Sequence, residues 1–296
     1  MPSRAAVIVP LYKESMTDAE AFSFHNTLTV LARHDVYVIS PQRLTDHLDA
    51  FLASWPGKVQ VASFADWFFA DTHSYSALLS SAAFYRRFAC YEYLLIVQTD
   101  ALVLDDSLDN WCSRHYSYVG APWFKGFDEL EQPLSFLGVG NGGFSLRKVS
   151  DFQRVLTLSG TFSHFAAAVI AGSRKPRRLF YYARFMKHRL CTAFFFPAVC
   201  SLINEDKFWG LLVPQCFSFF SVPSPEEAIA FSFEVAPAYL FNLNRCRLPF
   251  GCHGWEKHDP EFWRNILAIK EVRNGRWRRD PAERGDGDSS NREASK

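Results

Sequence analysis

Residues 93–104 decide the fold, and they read Tyr-Leu-Leu-Ile-Val-Gln-Thr-Asp-Ala-Leu-Val-Leu. Four apolar residues lead into Gln98-Thr99-Asp100, and an apolar run resumes at Ala101. A short continuous apolar run is typical of a strand buried on both faces, as in a parallel sheet between helices. A carboxylate beside such a strand is costly to bury unless it is paired or binds a cation. Asp100 is therefore either a cap for the next turn or a metal ligand at the end of a central strand, where open α/β sheets bind ligands.

Apolar segments of strand and helix length alternate on the N-terminal side of this stretch. This order predicts a mostly parallel α/β sheet flanked by helices, with right-handed crossovers. No Gly-x-Gly-x-x-Gly and no Gly-x-x-x-x-Gly-Lys-Ser/Thr motif occurs. If a nucleotide binds, a divalent cation is the natural substitute for such a phosphate loop. The predicted strands are 5–9, 36–39, 59–64 and 118–121, and the predicted helices are 18–33, 44–54 and 76–88.

Composition excludes several classes of function and favours an intracellular protein. The 296 residues are 48% hydrophobic and carry a net charge of +1, so there is no bulk electrostatic case for nucleic acid. Seven cysteines without a Cys-x-x-Cys pair indicate reduced thiols. We find no signal-peptide core and no apolar run of membrane-spanning length, and therefore expect a cytoplasmic location.

Three later segments are candidates for chemistry, each with a structural alternative. Four glycines within 138–143 either allow a ligand to approach the backbone or form a tight hairpin. Glu205-Asp206 either compensates a helix dipole or offers a general base to a hydroxyl. His253, in Pro-Phe-Gly-Cys-His-Gly-Trp, is either a core histidine or a ligand.

A basic stretch and a charged tail complete the chain. Residues 152–204 contain no acidic residue, and within them 174–190 can form a helix with one apolar and one basic face. Such a segment either lies peripherally on an anionic membrane surface or is a solvated face of the domain. The composition from 275 to 296 predicts a disordered tail.

Taken in order, these segments resemble the GT-A superfamily of glycosyltransferases over roughly residues 5 to 265. Gln98-Thr99-Asp100 resembles the metal-binding acidic motif, 140–143 the glycine-rich loop, Glu205-Asp206 the acceptor-side pair, and His253 the late metal-binding histidine. More closely, the chain is similar to an uncharacterised family of putative glycosyltransferases. The shared motifs are Val-Pro-Leu-Tyr-Lys-Glu, Gln-Thr-Asp-Ala, Gly-Ala-Pro-Trp, Gly-Asn-Gly-Gly-Phe-Ser-Leu-Arg and Pro-Phe-Gly-Cys-His. Gln98 replaces the first Asp of the usual Asp-x-Asp.

The resemblance implies a metal-dependent, inverting transfer of a sugar from a nucleotide-diphosphate donor to a glycan or lipid-linked acceptor. Asp100 and His253 would hold Mn²⁺ or Mg²⁺, and Asp206 would be the general base, with Glu205 binding the acceptor or orienting Asp206. Tryptophans would stack on sugar faces. The implied donor-binding residues are Pro10, Tyr12, Lys13, Glu14, Gln98, Thr99, Asp100, Gly142 and Gly143, and the implied acceptor-binding residues are Trp123, Trp209 and Trp255.

We expect one GT-A-like domain over 1–274, with a nucleotide-sugar half over 1–123 and an acceptor half over 124–274. Two other classes remain open at this point. One is a catalytically inactive protein of the same fold that binds nucleotide-sugars or glycans, which the loss of a carboxylate at Gln98 makes conceivable. The other is a surface-associated scaffold whose basic stretch is the functional part.

Overall fold

The computed structural model describes residues 4–52, 59–126, 129–158 and 204–274. The predicted membrane-surface stretch 174–190 and the predicted tail 275–296 lie outside these residues. The chain divides into two compact units, Met1–Asp259 and Pro260–Lys296. The division of one domain into a nucleotide-sugar half over 1–123 and an acceptor half over 124–274 stays a prediction.

The first unit contains every strand of the described chain. The strands are β1 (Ala5–Pro10), β2 (Asp35–Pro41), β3 (Val59–Phe64), β4 (Tyr93–Val97), β5 (Ala101–Val103), β6 (Tyr118–Val119), β7 (Ala121–Phe124), β8 (Phe136–Gly140), β9 (Phe144–Lys148), β10 (Ser232–Phe233) and β11 (Gly251–His253).

Short helices connect most of these strands. They are α1 (Asp18–Val30), α2 (Thr45–Leu52), α3 (Thr72–Leu79), α4 (Ala82–Arg87), α5 (Leu108–Cys112), α6 (described over 149–158), α7 (Glu205–Lys207), α8 (Val213–Cys216), α9 (Pro225–Ala228), α10 (Pro237–Leu243) and, in the second unit, α11 (Pro260–Asn274). No helix among the described residues is long and apolar enough to span a membrane.

The predicted fold class is confirmed. The main sheet has six strands in the order β3-β2-β1-β4-β9-β6. Strands β1 to β4 are mutually parallel, whereas β9 runs antiparallel to both of its neighbours. Helices cover both faces, and side chains of β1 alternate between two separate apolar cores: Val7 belongs to one and Ile8 to the other. This explains why β1 and β4 are apolar throughout.

The direction of the strand order reverses between β1 and β4. The chain moves from β1 to β2 on one side of the sheet, and β4 joins β1 on the other side. In open α/β sheets, ligands bind outside the carboxyl ends of the strands at such a reversal. Pro10 ends β1 and Gln98 directly follows β4, so both lie at this edge.

Three local predictions were wrong in detail. The helix predicted over 76–88 is two helices, because Ser81 caps α4 with its hydroxyl, accepting from the Phe84 N–H at 3.1 Å. The strand predicted over 118–121 breaks at Gly120 into β6 and β7, with Pro122 in the two-stranded β7–β8 sheet, where an edge tolerates proline. The stretch 93–104 also contains two strands of different sheets, β4 and β5, separated by the turn at Gln98-Thr99-Asp100.

Candidate active site

Backbone hydrogen bonds join three of the predicted motifs. The Gln98 N–H donates to the Gly143 carbonyl at 2.8 Å, and the Gly254 N–H donates to the Asp100 carbonyl at 3.0 Å. Strand register explains both contacts. Val97 pairs with Phe144 across β4 and β9, and Ala101 pairs with His253 across β5 and β11. Segments that are more than 150 residues apart in the chain therefore meet at the carboxyl end of β4.

His253 is the centre of a polar cluster at this edge. Its Nε2 lies 3.2 Å from Asp100 Oδ1 and 3.2 Å from Gln98 Oε1, and its Nδ1 lies 3.0 Å from Glu234 Oε1. Burial opposes a charge on the imidazole, but hydrogen bonds to Asp100 and Glu234 outweigh it and raise the pKa of His253 to about 10. Burial likewise acts to raise the pKa of Asp100, and the hydrogen bond and charge of His253 lower it overall.

The donor set fits a divalent cation that shares its coordination with a substrate. Adjacent ligands of an octahedral Mg²⁺ lie about 3 Å apart, close to the 3.2 Å that separates Nε2 from each oxygen. Gln98 supplies a neutral oxygen where the usual motif has a carboxylate. Among the described residues, no group of three or more His, Cys, Asp or Glu side chains forms a metal site. Phosphate oxygens and water would have to complete the coordination.

A cleft of about 390 Å³ opens beside this cluster. Five of the predicted donor-binding residues line it: Pro10, Tyr12, Gln98, Thr99 and Asp100. Lys13 pairs with Glu20, itself a lining residue, at 3.0 Å, and Glu14 is exposed, with its carbonyl 2.9 Å from His47 Nε2. The cleft has the size of a small-molecule site.

Two adjacent glycines lie close to the polar cluster around His253 and to the predicted acidic pair. A Cβ on Gly143 would lie 2.1 Å from His253 Nε2, and one on Gly142 would lie 2.5 Å from Glu205 Oε1. The Gly142 N–H also donates to Asp206 Oδ2 at 3.2 Å. The missing Cβ atoms thus make room for side chains of this chain. Contact of Gly142 and Gly143 with a nucleotide-sugar stays a prediction.

Glu205 and Asp206 have different surroundings. Glu205 is 4% exposed, and its Oε1 accepts from Arg147 Nη2 at 2.9 Å, inside a pocket where Arg147 is fully buried. Burial raises the pKa of Glu205 to about 7, even though Arg147 acts in the opposite direction. Asp206 is partly exposed. Burial raises its pKa, although hydrogen bonds from two backbone N–H groups act to lower it. Of the two carboxylates, Asp206 is the more accessible.

The three predicted acceptor-binding tryptophans are not equivalent. Trp123 is 1% exposed and Trp209 is 0% exposed, so neither presents a ring face to an acceptor, because both pack in the interior. Trp209 stacks on Phe220 with ring centroids 5.7 Å apart. Trp255 is partly exposed, and its Nε1–H donates to Ser23 Oγ at 3.0 Å. Stacking on a sugar stays a prediction for Trp255.

Sequence reasoning missed Glu234 and Arg147, two buried charges of the site. Glu234 ends the apolar run that contains Phe231 and Phe233, which is the same pattern that marked Asp100. Arg147 occupies a buried position in β9, between Leu146 and Lys148. A charge inside a buried strand needs a partner, so this position could have indicated the Glu205 ion pair.

Residues 58–253 match the protein family described as "Protein of unknown function (DUF5672)". The chain belongs to this family. The matched range of the DUF5672 protein begins just before β3, contains the Gln-Thr-Asp turn, the glycine loop and Glu205-Asp206, and ends at His253. A search of curated proteins finds no match.

The DUF5672 chain is also similar to solved structures of low sequence identity. Mouse xyloside xylosyltransferase 1 in its apo form is 9% identical, with 84% of this chain and 97% of that chain covered and a TM-score of 0.47. The mannosyltransferase PcManGT from Pyrobaculum calidifontis, in complex with GDP-Man and Mn²⁺, is 18% identical over 41% of this chain and 36% of that one, with a TM-score of 0.29. 4-Diphosphocytidyl-2C-methyl-D-erythritol synthase from Anaerococcus prevotii is 8% identical over 52% and 74%, with a TM-score of 0.34.

Proposed function

We propose that this DUF5672 protein is a metal-dependent, inverting glycosyltransferase that uses a nucleotide-diphosphate sugar. One observation carries the proposal: Gly142 donates its N–H to Asp206 Oδ2, and the next residue, Gly143, lies close against the His253 ring. Consecutive Cα atoms are about 3.8 Å apart, so a candidate base and a candidate cation site border the same short stretch of backbone. That arrangement suits a reaction in which a hydroxyl loses a proton while a diphosphate leaves.

The donor would lie in the cleft between β1 and β4, with its diphosphate towards Asp100, Gln98 and His253. Mn²⁺ or Mg²⁺ bound there would neutralise the charge that develops on the leaving diphosphate. A mixed oxygen and nitrogen donor set suits Mn²⁺ slightly better than Mg²⁺. Tyr12, which is 44% exposed at the mouth of the cleft, is available to the nucleoside.

Asp206 would take the proton of the acceptor hydroxyl as that oxygen attacks the anomeric carbon. The new carbon–oxygen bond forms while the bond to the diphosphate breaks, and the configuration inverts. Glu205 would orient Asp206, because its own side chain is buried against Arg147. The acceptor would be a glycan or a lipid-linked hydroxyl, and the stretch 174–190 would bring the enzyme to an anionic membrane surface.

Calorimetry of nucleoside diphosphates, with Mn²⁺ and with a chelator, tests the proposal. We expect wild-type protein to bind one of them in a Mn²⁺-dependent manner, and Asp100→Asn and His253→Ala to lose that dependence while remaining folded. Asp105→Asn is the matched control, because its carboxylate accepts from Ser107 Oγ outside the cluster. Equal affinity with Mn²⁺ and with chelator, in all four proteins, would remove the cation from the proposed function.

A further inference from the structure

Glu234 is a buried carboxylate with one donor on each oxygen. It is 6% exposed and directly follows β10. Its Oε1 lies 3.0 Å from His253 Nδ1, and its Oε2 accepts from Trp123 Nε1–H at 2.8 Å. An indole N–H can only donate, so Oε2 is committed as an acceptor and Oε1 is left to pair with Nδ1.

Strand pairing explains why Glu234 reaches His253. Phe233 pairs with Cys252 in the parallel β10–β11 ladder, so the next residues, Glu234 and His253, are neighbours. Trp123 approaches from β7. A Cβ on Gly140 would lie 2.2 Å from its ring, so the glycine leaves the space that the indole occupies. The three side chains therefore come from β7, from β11 and from the residue after β10, and Gly140 and Gly143 leave space for the two rings.

The chemistry of the two nitrogens of His253 follows from this arrangement. A carboxylate oxygen accepts hydrogen bonds, so the contact with Oε1 assigns the ring hydrogen on that side to Nδ1. Nε2, which faces Asp100 and Gln98, is then the nitrogen whose lone pair a cation would bind on displacing the Nε2 hydrogen. A carboxylate behind a ligating histidine fixes both the tautomer and the ring orientation, and its loss typically weakens metal affinity 10–100-fold.

We propose that Glu234 is a positioning residue which, anchored by Trp123, holds His253 with Nε2 directed at the cation site. The inference rests on the proposed function, because it needs a cation beside Asp100 and His253. The role of the buried Trp123 then differs from the predicted one: it supports the site through its hydrogen bond to Glu234 and does not bind an acceptor sugar.

Glu234→Gln tests this directly, with Mn²⁺ affinity measured by calorimetry in the presence of the nucleoside diphosphate that the wild type binds. An amide has one acceptor oxygen, so it can satisfy His253 or Trp123 but not both. We expect a 10–100-fold loss of Mn²⁺ affinity, with near-UV circular dichroism unchanged. Asp106→Asn is the matched control, since it alters a carboxylate 3.0 Å from His34 Nε2 and should leave Mn²⁺ affinity unchanged.

A second variant separates positioning from mere packing. In Trp123→Phe/Glu234→Gln the indole donor is gone, so the amide oxygen is free to accept from His253 Nδ1–H. We expect Mn²⁺ affinity to recover most of the loss, although the double variant removes more of the buried structure. Trp123→Phe alone should weaken Mn²⁺ binding less than Glu234→Gln does, because Glu234 Oε1 still faces His253 although the anchor at Oε2 is lost.

The outcomes distinguish the inference from the proposed function. Wild-type Mn²⁺ affinity in folded Glu234→Gln would overturn the inference and leave the proposed function standing. A double variant that binds as poorly as Glu234→Gln, or more poorly, would show that Glu234 only supports packing, and would also overturn it. Absence of Mn²⁺ binding by wild-type protein would overturn both.

Discussion

At the scale of single residues, accessibility separates the two carboxylates at the start of α7. Glu205 is enclosed with Arg147, whereas Asp206 is partly exposed and oriented by the N–H groups of Gly142 and Lys207 at 3.2 and 2.8 Å. A raised pKa suits a general base, which must accept a proton near neutral pH. The two neighbouring acids therefore have different candidate roles, with Asp206 as the base.

Asp206→Asn retains the shape of the side chain and removes its capacity to accept a proton. We expect kcat to fall roughly 10²–10⁴-fold with donor affinity nearly unchanged, measured by donor turnover and calorimetry. Asp151→Asn is the control, because this partly buried acid accepts from Ser117 Oγ at 2.7 Å and should leave kcat unaltered. Normal turnover by Asp206→Asn would assign the base elsewhere.

The pKa of Glu205 predicts a pH-dependent stability. Its pKa rises from an ordinary value of 4.5 to about 7 on folding, so the folded protein keeps a proton that the unfolded chain releases. The contribution of this proton to stability is fully present below pH 4.5 and is lost as pH rises through about 7. Wild-type protein should therefore lose unfolding free energy relative to Glu205→Gln as pH rises through this window.

Urea unfolding of both proteins between pH 4.5 and pH 7.5 measures that difference. Glu92→Gln serves for comparison, because Glu92 pairs with Arg4 at 2.7 Å on the surface and its pKa is lowered. Its difference from wild type should stay flat above pH 5.5. A wild-type curve parallel to that of Glu205→Gln would mean that folding leaves the pKa of Glu205 unchanged.

At the scale of elements, the loop between β8 and β9 is shaped by its neighbours. Asn141 has a φ of 89°, and its Oδ1 accepts from the N–H groups of Gly143 and Phe144 at 2.9 and 3.2 Å. The loop then approaches His253 and Glu205 more closely than any Cβ would allow.

The helical segment after Glu205 contains a π-helical turn, Phe208–Leu212. Pro214 follows it and has no N–H to donate to the Gly210 carbonyl.

Gly143→Ala should disrupt the proposed cation site without unfolding the protein. Its Cβ would lie 2.1 Å from His253 Nε2, so the ring must move. We expect loss of Mn²⁺-dependent nucleotide binding, measured by calorimetry. Gly138→Ala is the matched control, since its Cβ would meet only the flexible end of Leu211. This variant should bind the nucleotide within a few-fold of wild type. Equal binding by both variants would contradict the packing described for the loop.

At the scale of the whole molecule, a net charge of +1 leaves no general attraction to an anionic surface. Membrane association must then come from a local cluster, and residues 174–190 carry seven Lys and Arg residues and no acid. These residues lie outside the described part of the chain. Their role on a membrane is therefore a prediction from composition.

Liposome co-sedimentation tests that role. Wild-type protein should bind vesicles that contain anionic lipid, and binding should weaken with salt, because each basic residue at the surface contributes about 1 kcal/mol. Replacing Arg177, Arg178, Arg184 and Lys187 by Gln should abolish it. Replacing the exposed Arg86, Arg87, Arg245 and Arg247 by Gln changes the net charge equally and should not. Equal binding of the wild-type protein to neutral and to anionic vesicles would favour the other interpretation of this stretch, a solvated face of the domain.

The sequence by itself determined the α/β class and the positions of the main strands. Continuous apolar runs such as 5–9 and 93–97 are typical of strands buried on both faces, as in a sheet between helices. It also marked Asp100, because a carboxylate at the end of such a strand needs a partner. These features are local, so they can be read without knowing which segments meet.

Only the tertiary structure decided what surrounds each candidate. Pairing of β5 with β11 brings His253 to Asp100, and pairing of β10 with β11 brings Glu234 to His253, although no local pattern specifies either partner. The burial of Trp123 and Trp209 depends on packing from several elements, so their aromatic character alone suggested a sugar platform that the fold does not provide. Register and burial are properties of the assembled chain, since they depend on contacts between distant residues.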